Sequence, residues 1–325
     1  AFTKEEITHA FANLVELDVN LASAGASRQH IDLIWGAVLT RYLTLVKFAG
    51  YGNVRSSGRV QTPTLALIVA RERERLAFVP EDYWVIKGAF DAADKTGPTS
   101  GEGPLAFEAP HATARFKDEA AANAAMAAVK GATSAKVLSI EKRSRKQQPP
   151  VPFNTTSLMT AASAEGLSPA RTMRLAESLY MDGYISYPRV DNTVYPSSLD
   201  LAEVVKTISG NPAYAPFCKE LLAKGQLTAT RGKKETTDHP PIYPTAMVTP
   251  DDLPPAEYKL YNLIARRFLA TLSEAAVVEG TKVTLDIAGE HFAAKGDVLV
   301  HEGYRAIYPY GMKKDEQLPA LAEGQ

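Results

Sequence analysis

The sequence predicts a multidomain α+β protein, and three observations carry that expectation. Apolar residues recur at helical spacing through residues 1–80, strand-like alternation takes over from Tyr83 and returns after Val277, and a helix, turn, helix, strand pattern lies between the two strand-rich stretches. The simplest arrangement is a helical domain over 1–80, a discontinuous β-rich domain over 81–146 and 246–314, and an inserted helix-turn-helix domain over 147–245. With 325 residues and 45% apolar composition, the chain can bury more than one core.

In the helical part, Thr3-Lys4-Glu5-Glu6 reads as a capping box opening a first helix with Ile7, Phe11, Leu14 and Val15 on one side. A second helix is expected from about Arg28 to Ala49, with Ile31, Ile34, Trp35, Val38, Tyr42 and Leu45 as core residues. Thr62 and Pro63 start a third, carrying Leu65, Ile68, Val69 and Leu76, after the short polar loop Ser56 to Gln61. Arg71, Arg73 and Arg75 alternate with Glu72 and Glu74 as on a solvated, salt-bridged helix.

Strands are expected over Tyr83 to Phe90, Leu105 to Phe116 and Ser134 to Arg143, with a Gly/Pro loop from Asp91 to Pro104. Asp118 caps an alanine-rich helix that Gly131 closes. The cations Lys142, Arg143, Arg145 and Lys146 suit a solvated hinge, and Gln147 to Pro150 a stiff linker. Beyond the inserted domain, helix is expected over Pro196 to Gly225, broken at Gly210-Asn211-Pro212, and Thr228 to Thr237 is a polar, mobile loop. A helix over about Pro255 to Glu274 precedes strands in Val277 to Ile287, Glu290 to Ala294 and Arg305 to Tyr308. The later strands would pair with the earlier ones.

Composition excludes several classes. No apolar run reaches membrane-spanning length and no signal peptide opens the chain, so a soluble, cytoplasmic protein is expected. The lone Cys218 forms no internal disulfide or zinc site. A net charge of −1 argues against a uniformly basic nucleic-acid binder, although a groove needs only a local positive field. No G-x-x-x-x-G-K-[ST] loop for ATP is present.

The stretch from Ser168 to Pro196 organises the rest. Ser168 caps a helix whose first residue is Pro169, Gly183 ends it, and the alternating run Tyr184 to Tyr187 follows as a strand. Thr155 or Thr156 caps the shorter helix upstream, which runs to about Glu165. Pro188 lacks the N–H that would extend a ladder, which leaves Tyr187 and Arg189 at a strand end facing a cleft. A phenol beside a guanidinium, with Asp191 two residues on, makes a phosphate site; the plainer alternative is a core tyrosine and a solvated arginine.

GYISYPRVDNTVYP (183–196), preceded by PFNTTSLMTAASAEGLSPARTMRLAESLY (152–180), resembles the active-site segment of the type IA DNA topoisomerases, in the archaeal and topoisomerase III branch. SSGRVQTPTLALIVARERE (56–74) and DHPPIYPT (238–245) are similar to two further blocks of that family. The resemblance implies Tyr187 as nucleophile, Arg189 as its cation and His239 against the scissile phosphate. It implies single-stranded DNA contacts from Ser57, Arg59 and Gln61, with Arg28, Arg171, Arg174 and Asp191 completing the DNA-facing set. Three positions depart from the pattern: Gln29 replaces an Arg, Val190 a Thr, and Tyr243 an Arg or His.

The resemblance further implies a helical base, a gate arch whose linkers act as hinges, and a transient 5′-phosphotyrosine that reseals without ATP. It also implies Mg²⁺ held by an acidic Asp-x-Asp-x-Glu domain, a motif absent from residues 1–325, so the chain is expected to be a fragment without the metal site, its last residues 315–325 returning toward the base. Such a fragment would bind single-stranded DNA weakly and not relax supercoils alone. The expected partner is DNA, the expected state a monomer in the nucleoid, and any helicase partner is unidentified. A tyrosine recombinase would need a His-x-x-Arg set, and a rolling-circle nuclease a His-hydrophobic-His pair; neither occurs. A non-catalytic DNA-binding or gate scaffold, with Tyr187 stacking on a base, is the other class in play.

Overall fold

The computed structural model of the protein describes residues 4–47, 54–92, 106–311 and 317–325. It divides into two compact units, residues 2–82 and 83–325. The expected Thr3–Glu6 capping contacts and most of the loop after Asp91 lie outside the described residues.

The first unit is helical: α1 (Lys4–Ala12), α2 (Val19–Tyr42) running into a π-helical turn (Leu43–Lys47), and α3 (Gln61–Ala77). Helix α2 starts well before Arg28 because Asp18 accepts a hydrogen bond from the Leu21 N–H at 2.9 Å and caps it. The expected core residues of α2 are exposed in this structure, Trp35 at 56% and Ile34 at 63%. Helical periodicity marks a face that can be buried, but burial needs an opposing layer, and the described residues of this unit supply none. Arg71 pairs with Glu74 and Arg75 with Glu72, as an exposed salt-bridged helix should.

In the second unit, β1 (Lys87–Asp91) and β2 (Ala106–Pro110) form an antiparallel pair. Tyr83 to Ile86 is not strand as expected; within it only Trp84 makes a bridge, to Phe116. Helix α4 (Glu119–Val129) begins on Asp118, which accepts from Ala120 and Ala121 N–H, and Gly131 follows it at φ +86°. Three long strands, β3 (Lys136–Gln147), β4 (Ala276–Ile287) and β5 (Glu290–His301), make an antiparallel sheet in the order β3-β4-β5. Sequence-distant strands therefore pair, as their shared alternation implied. The cations Lys142 to Lys146 belong to β3 itself rather than to a hinge, and Arg145 reaches Asp297 across the sheet at 2.5 Å.

Between β3 and β4 run α5 (Thr155–Ala164), α6 (Pro169–Met181), α7 (Leu201–Ile208), α8 (Ala215–Ala223) and α9 (Pro255–Thr271). Asn154, not Thr155 or Thr156, caps α5, in a reciprocal capping box with Ser157. The main core gathers Phe153, Leu158, Ala176, Leu179, Ile208, Tyr214 and Leu221 with Tyr261, Ile264 and Phe268 of α9 and Ala276 of β4. A second core joins Val137, Val283, Leu285 and Phe292 of the sheet to Ile86, Ala109 and Ala125. Arg305 to Tyr308 is not a strand: a 3-10 turn (Gly303–Ala306) forms there, with Gly303 at φ +49° pressed against Ala275 O. The closing residues, expected to run back toward the base, lie along β3, with Gln325 O accepting from Val137 N–H at 2.8 Å.

Candidate functional site

Helix α6 delivers the central segment. Ser168 and Pro169 start it, Thr172, Ala176 and Leu179 bury one face, and Gly183, at φ +80°, turns the chain out of it. Tyr184 to Tyr187 then runs beside residues 241–245 through single contacts rather than a full strand: Ile185 bridges Pro244, Ser186 N–H donates to Tyr243 O at 3.0 Å, and Thr245 N–H donates to Tyr184 O at 3.0 Å. The prolines at 188, 241 and 244 lack the donors a continuous ladder would need.

Ile185 and Ser186 are buried, whereas Tyr187 is half-buried. The Tyr187 ring meets the His239 imidazole at 4.7 Å between centroids and the Tyr180 ring edge-on at 5.3 Å. Arg189 is exposed and donates from Nε to Glu177 Oε1 on α6 at 2.8 Å, with a second bond from Nη2 to the same oxygen. The Glu177 hydrogen bond, and then its charge, push the guanidinium above its ordinary range; Tyr187 adds a smaller effect in the same direction. The backbone around Arg189 is set by Thr155: its hydroxyl lies 2.7 Å from Pro188 O and accepts from Val190 N–H at 2.8 Å.

The loop over 228–243 forms the opposite wall. Its part from Thr228 to Thr237 was expected to be mobile, yet Thr230 hydroxyl donates to Pro150 O at 2.7 Å, Thr193 N–H donates to Lys234 O at 2.8 Å, and Gly232 N–H donates to Thr193 O at 3.0 Å. His239 stands exposed on this loop. Beside it, the Thr236 hydroxyl, then the His239 backbone N–H, hold the Asp238 carboxyl below its usual range. Asp191, expected to face DNA, spends its charge on Lys234 Nζ at 2.5 Å and accepts from Asn154 Nδ2 at 3.2 Å.

Tyr187, Arg189, His239 and Asp191 thus share one neighbourhood. Arg171 and Arg174 are exposed on α6, without an ion pair among the described residues. The side chains of Val190 and Tyr243 are buried in the main core, so neither departure from the family pattern alters the exposed surface. Glu177, Asn192, Ser186 and Lys234 were missed by sequence reasoning. Each acts through a partner more than ten residues away, which local spacing does not reveal.

In the helical unit, Asp32 gathers two of the expected DNA-binding cations. Arg59 Nε donates to Asp32 Oδ1 at 2.5 Å, and Arg28 Nε lies 4.0 Å from Oδ2. Ser57 is fixed by its N–H to the Thr40 hydroxyl at 3.1 Å and by a hydroxyl contact with Thr62 at 3.0 Å. Gln61 is exposed at the first position of α3, where the Thr62 N–H is already given to Gly58 O at 3.1 Å and Pro63 has no N–H.

A sequence profile of the DNA topoisomerase family matches residues 16–325. The chain is 41% identical over 324 residues to DNA topoisomerase 1 of Archaeoglobus fulgidus, covering 100% of this chain and 46% of that protein. It is 40% identical over 326 residues to DNA topoisomerase 1 of Thermoplasma acidophilum, covering 100% of this chain and 40% of that protein. Against DNA topoisomerase 3-beta of Arabidopsis thaliana it is 32% identical over 328 residues, 99% of this chain and 37% of the relative. The full-length topoisomerase I of Thermotoga maritima shares the fold, with a TM-score of 0.71 at 24% identity over 99% of this chain and 51% of that one. The chain spans less than half the length of these curated relatives. With that profile covering most of the chain and relatives up to 41% identical along its length, the chain belongs to the type IA DNA topoisomerase family.

Proposed function

We propose that this chain carries the strand-cleaving tyrosine of a type IA topoisomerase, with Tyr187 as nucleophile. The observation that carries the proposal is the half-exposed Tyr187 ring set 4.7 Å from His239, with the Arg189 guanidinium two residues away. Tyr187 Oη loses its proton and bonds to phosphorus, the P–O3′ bond breaks, and the 3′-oxygen leaves as a hydroxyl after gaining a proton. As negative charge grows on the attacking oxygen and the phosphate, a neighbouring cation offsets it, which is the role of Arg189 in this proposal. Arg189 also offsets charge on the nonbridging oxygens, and His239 supplies a second hydrogen bond. Reversal by the 3′-hydroxyl restores the strand, one phosphodiester being exchanged for another without ATP.

In this proposal residues 1–80 bind the single strand through Arg28, Ser57, Arg59 and Gln61, while Arg171 and Arg174 of α6 add backbone contacts near the tyrosine. The β-rich stretches 81–146 and 246–314, helix α9 apart, form the gate, and 147–245 the tyrosine domain. Helix α9 goes with the tyrosine core, into which its apolar face packs. The substrate is single-stranded DNA within a negatively supercoiled duplex, and the protein acts as a monomer.

The family implies Mg²⁺, and the residues around Tyr187 do not fit it. Glu177 is engaged by Arg189, Asp191 by Lys234, and among the described residues no three His, Cys, Asp or Glu side chains gather as a ligand set. No step is therefore assigned to the ion here.

The test is run on the whole protein that carries this chain, with a 3′-labelled single-stranded oligonucleotide and peptide mass spectrometry. Label attached to Tyr187, and lost in Tyr187→Phe, is the expected result. Attachment that survives the substitution removes Tyr187 as nucleophile. Oligonucleotide binding without any attachment favours the scaffold role, with Tyr187 stacking on a base.

A further inference from the structure

Two buried polar side chains flank the tyrosine segment, and both reach the loop that carries His239. Before Tyr187, Ser186 is 1% exposed; its hydroxyl donates to Pro241 O at 3.2 Å and accepts from Tyr243 N–H at 3.0 Å. After it, Asn192 is 3% exposed; its Nδ2 donates to Thr236 O at 2.8 Å and to His239 O at 3.1 Å, while Oδ1 accepts from Val194 N–H at 2.9 Å. Both amide protons thus end on one loop, and one of them on the backbone of His239 itself.

The surrounding contacts tighten the same joint. Thr193 is bonded to Lys234 in both directions, its N–H donating to Lys234 O at 2.8 Å and its hydroxyl accepting from Lys234 N–H at 3.1 Å. Gly232 approaches so closely that an added Cβ would fall 2.1 Å from the Thr193 hydroxyl oxygen, so the loop backbone lies directly on the tyrosine segment. His239 belongs to no helix or strand. Pro240 and Pro241 stiffen the backbone after it, and the Asn192 amide holds the backbone at and before it.

We infer that Asn192 is a positioning residue of the cleavage site: its carboxamide clamps the His239 loop so that the imidazole stays against Tyr187. The inference rests on the assignment of Tyr187 and His239 to the chemistry. A carboxamide suits the task because it supplies two donors and an acceptor from one planar group. An aspartate would turn acceptors toward two carbonyls and an alanine would leave both carbonyls without a donor. Misplacing a reacting group by an ångström costs on the order of 10²-fold in rate, so a clamp on the main chain matters to the reaction without touching substrate.

Asn211 provides a matched control. It is 1% exposed and bonded in the same style, Nδ2 to Val248 O at 2.7 Å and Oδ1 from Ala213 N–H at 2.9 Å, but its partners lie on other segments than the His239 loop. Asn192→Ala and Asn211→Ala are compared by the nuclear Overhauser contact between the Tyr187 and His239 rings in this chain, and by the rate and KM of DNA attachment in the whole protein. The expected result is loss of the ring contact in Asn192→Ala, with a rate lower by about 10²-fold and KM unchanged. Asn211→Ala should lower the melting temperature by a similar amount and change neither readout. Should Asn192→Ala fail to fold, Asn192→Ser, which keeps one donor, is read in its place. Retention of the ring contact in the Asn192 variant, or its equal loss in Asn211→Ala, overturns the inference. If wild type attaches no DNA, the assignment of Tyr187 fails, and the ring contact still decides the role of Asn192.

Discussion

Arg189 gives its Nε–H to a single carboxylate oxygen, Oε1 of Glu177, at 2.8 Å, and a second bond from Nη2 goes to the same atom. The carboxylate stands on α6, three residues after Arg174. If Arg189 takes the phosphate role proposed for it, the phosphate must compete with Glu177 for the guanidinium.

The pair is exposed, and such pairs contribute roughly 0–1 kcal/mol. Glu177→Gln should therefore tighten single-stranded DNA binding by about 2- to 5-fold at low salt, and steepen the salt dependence by about one phosphate contact. Fluorescence anisotropy over a salt series checks both. An unchanged affinity and slope would mean that Arg189 does not meet the DNA backbone.

His239 touches the Tyr187 ring, with the Asp238 carboxylate beside it. Replacing it by alanine should slow DNA attachment by about 10²-fold and leave single-strand affinity unchanged, since its hydrogen bond is worth most in the transition state. Single-turnover cleavage with saturating oligonucleotide measures the first quantity, and anisotropy the second.

Cys218 is fully buried, and burial pushes its thiol up to about 11. Since an unfolded thiol titrates near about 8.5, the folded chain holds this proton longer; the resulting stability is complete below that pH and is lost as pH rises toward 11. The buried phenols of Tyr195, Tyr214 and Tyr261, raised chiefly by burial, act in the same direction. Thermal melts should fall steadily above about pH 9 at up to about 1.4 kcal/mol per pH unit for each group in its titrating range. At pH 8, iodoacetamide should label Cys218 only after denaturation.

Phe268 of α9 is fully buried and packs edge-on against Tyr195 at 5.7 Å. Phe268→Ala should cost about 3–5 kcal/mol and shift the urea midpoint strongly. A small shift would show that α9 is not central to the core holding α5 and α6.

Where local chemistry decides structure, the sequence was legible. Ser168, Pro169 and Gly183 bound α6, Asp118 and Gly131 bound α4, and the alternation of β3 and β4 led to their pairing. The neighbourhood of Tyr187 and His239 was legible through family resemblance, since nothing in spacing joins residues 187 and 239. What stayed hidden depends on tertiary partners. Asn154 rather than either threonine caps α5 through its capping box with Ser157, its carboxamide also reaches Asp191, and Lys234 takes the Asp191 charge. The α2 residues expected in a core, Ile31 to Tyr42, are exposed, because helical spacing cannot say whether an opposing layer is at hand.

The sheet β3-β4-β5 buries apolar residues near both ends but in different cores, Ala276 with the tyrosine-bearing helices and Val283, Leu285 and Phe292 with α4 and β2. Along its waist, residues 141–147 are exposed, Lys282 and Lys295 point into water, and the cross-strand contacts are ionic. A ribbon whose outer strand is exposed along its waist can twist or bow while uncovering little hydrocarbon beyond Val278, so much of its elastic cost lies in hydrogen-bond geometry. Strain imposed at the Tyr187 end would be taken up by this pliant beam before either core is disturbed.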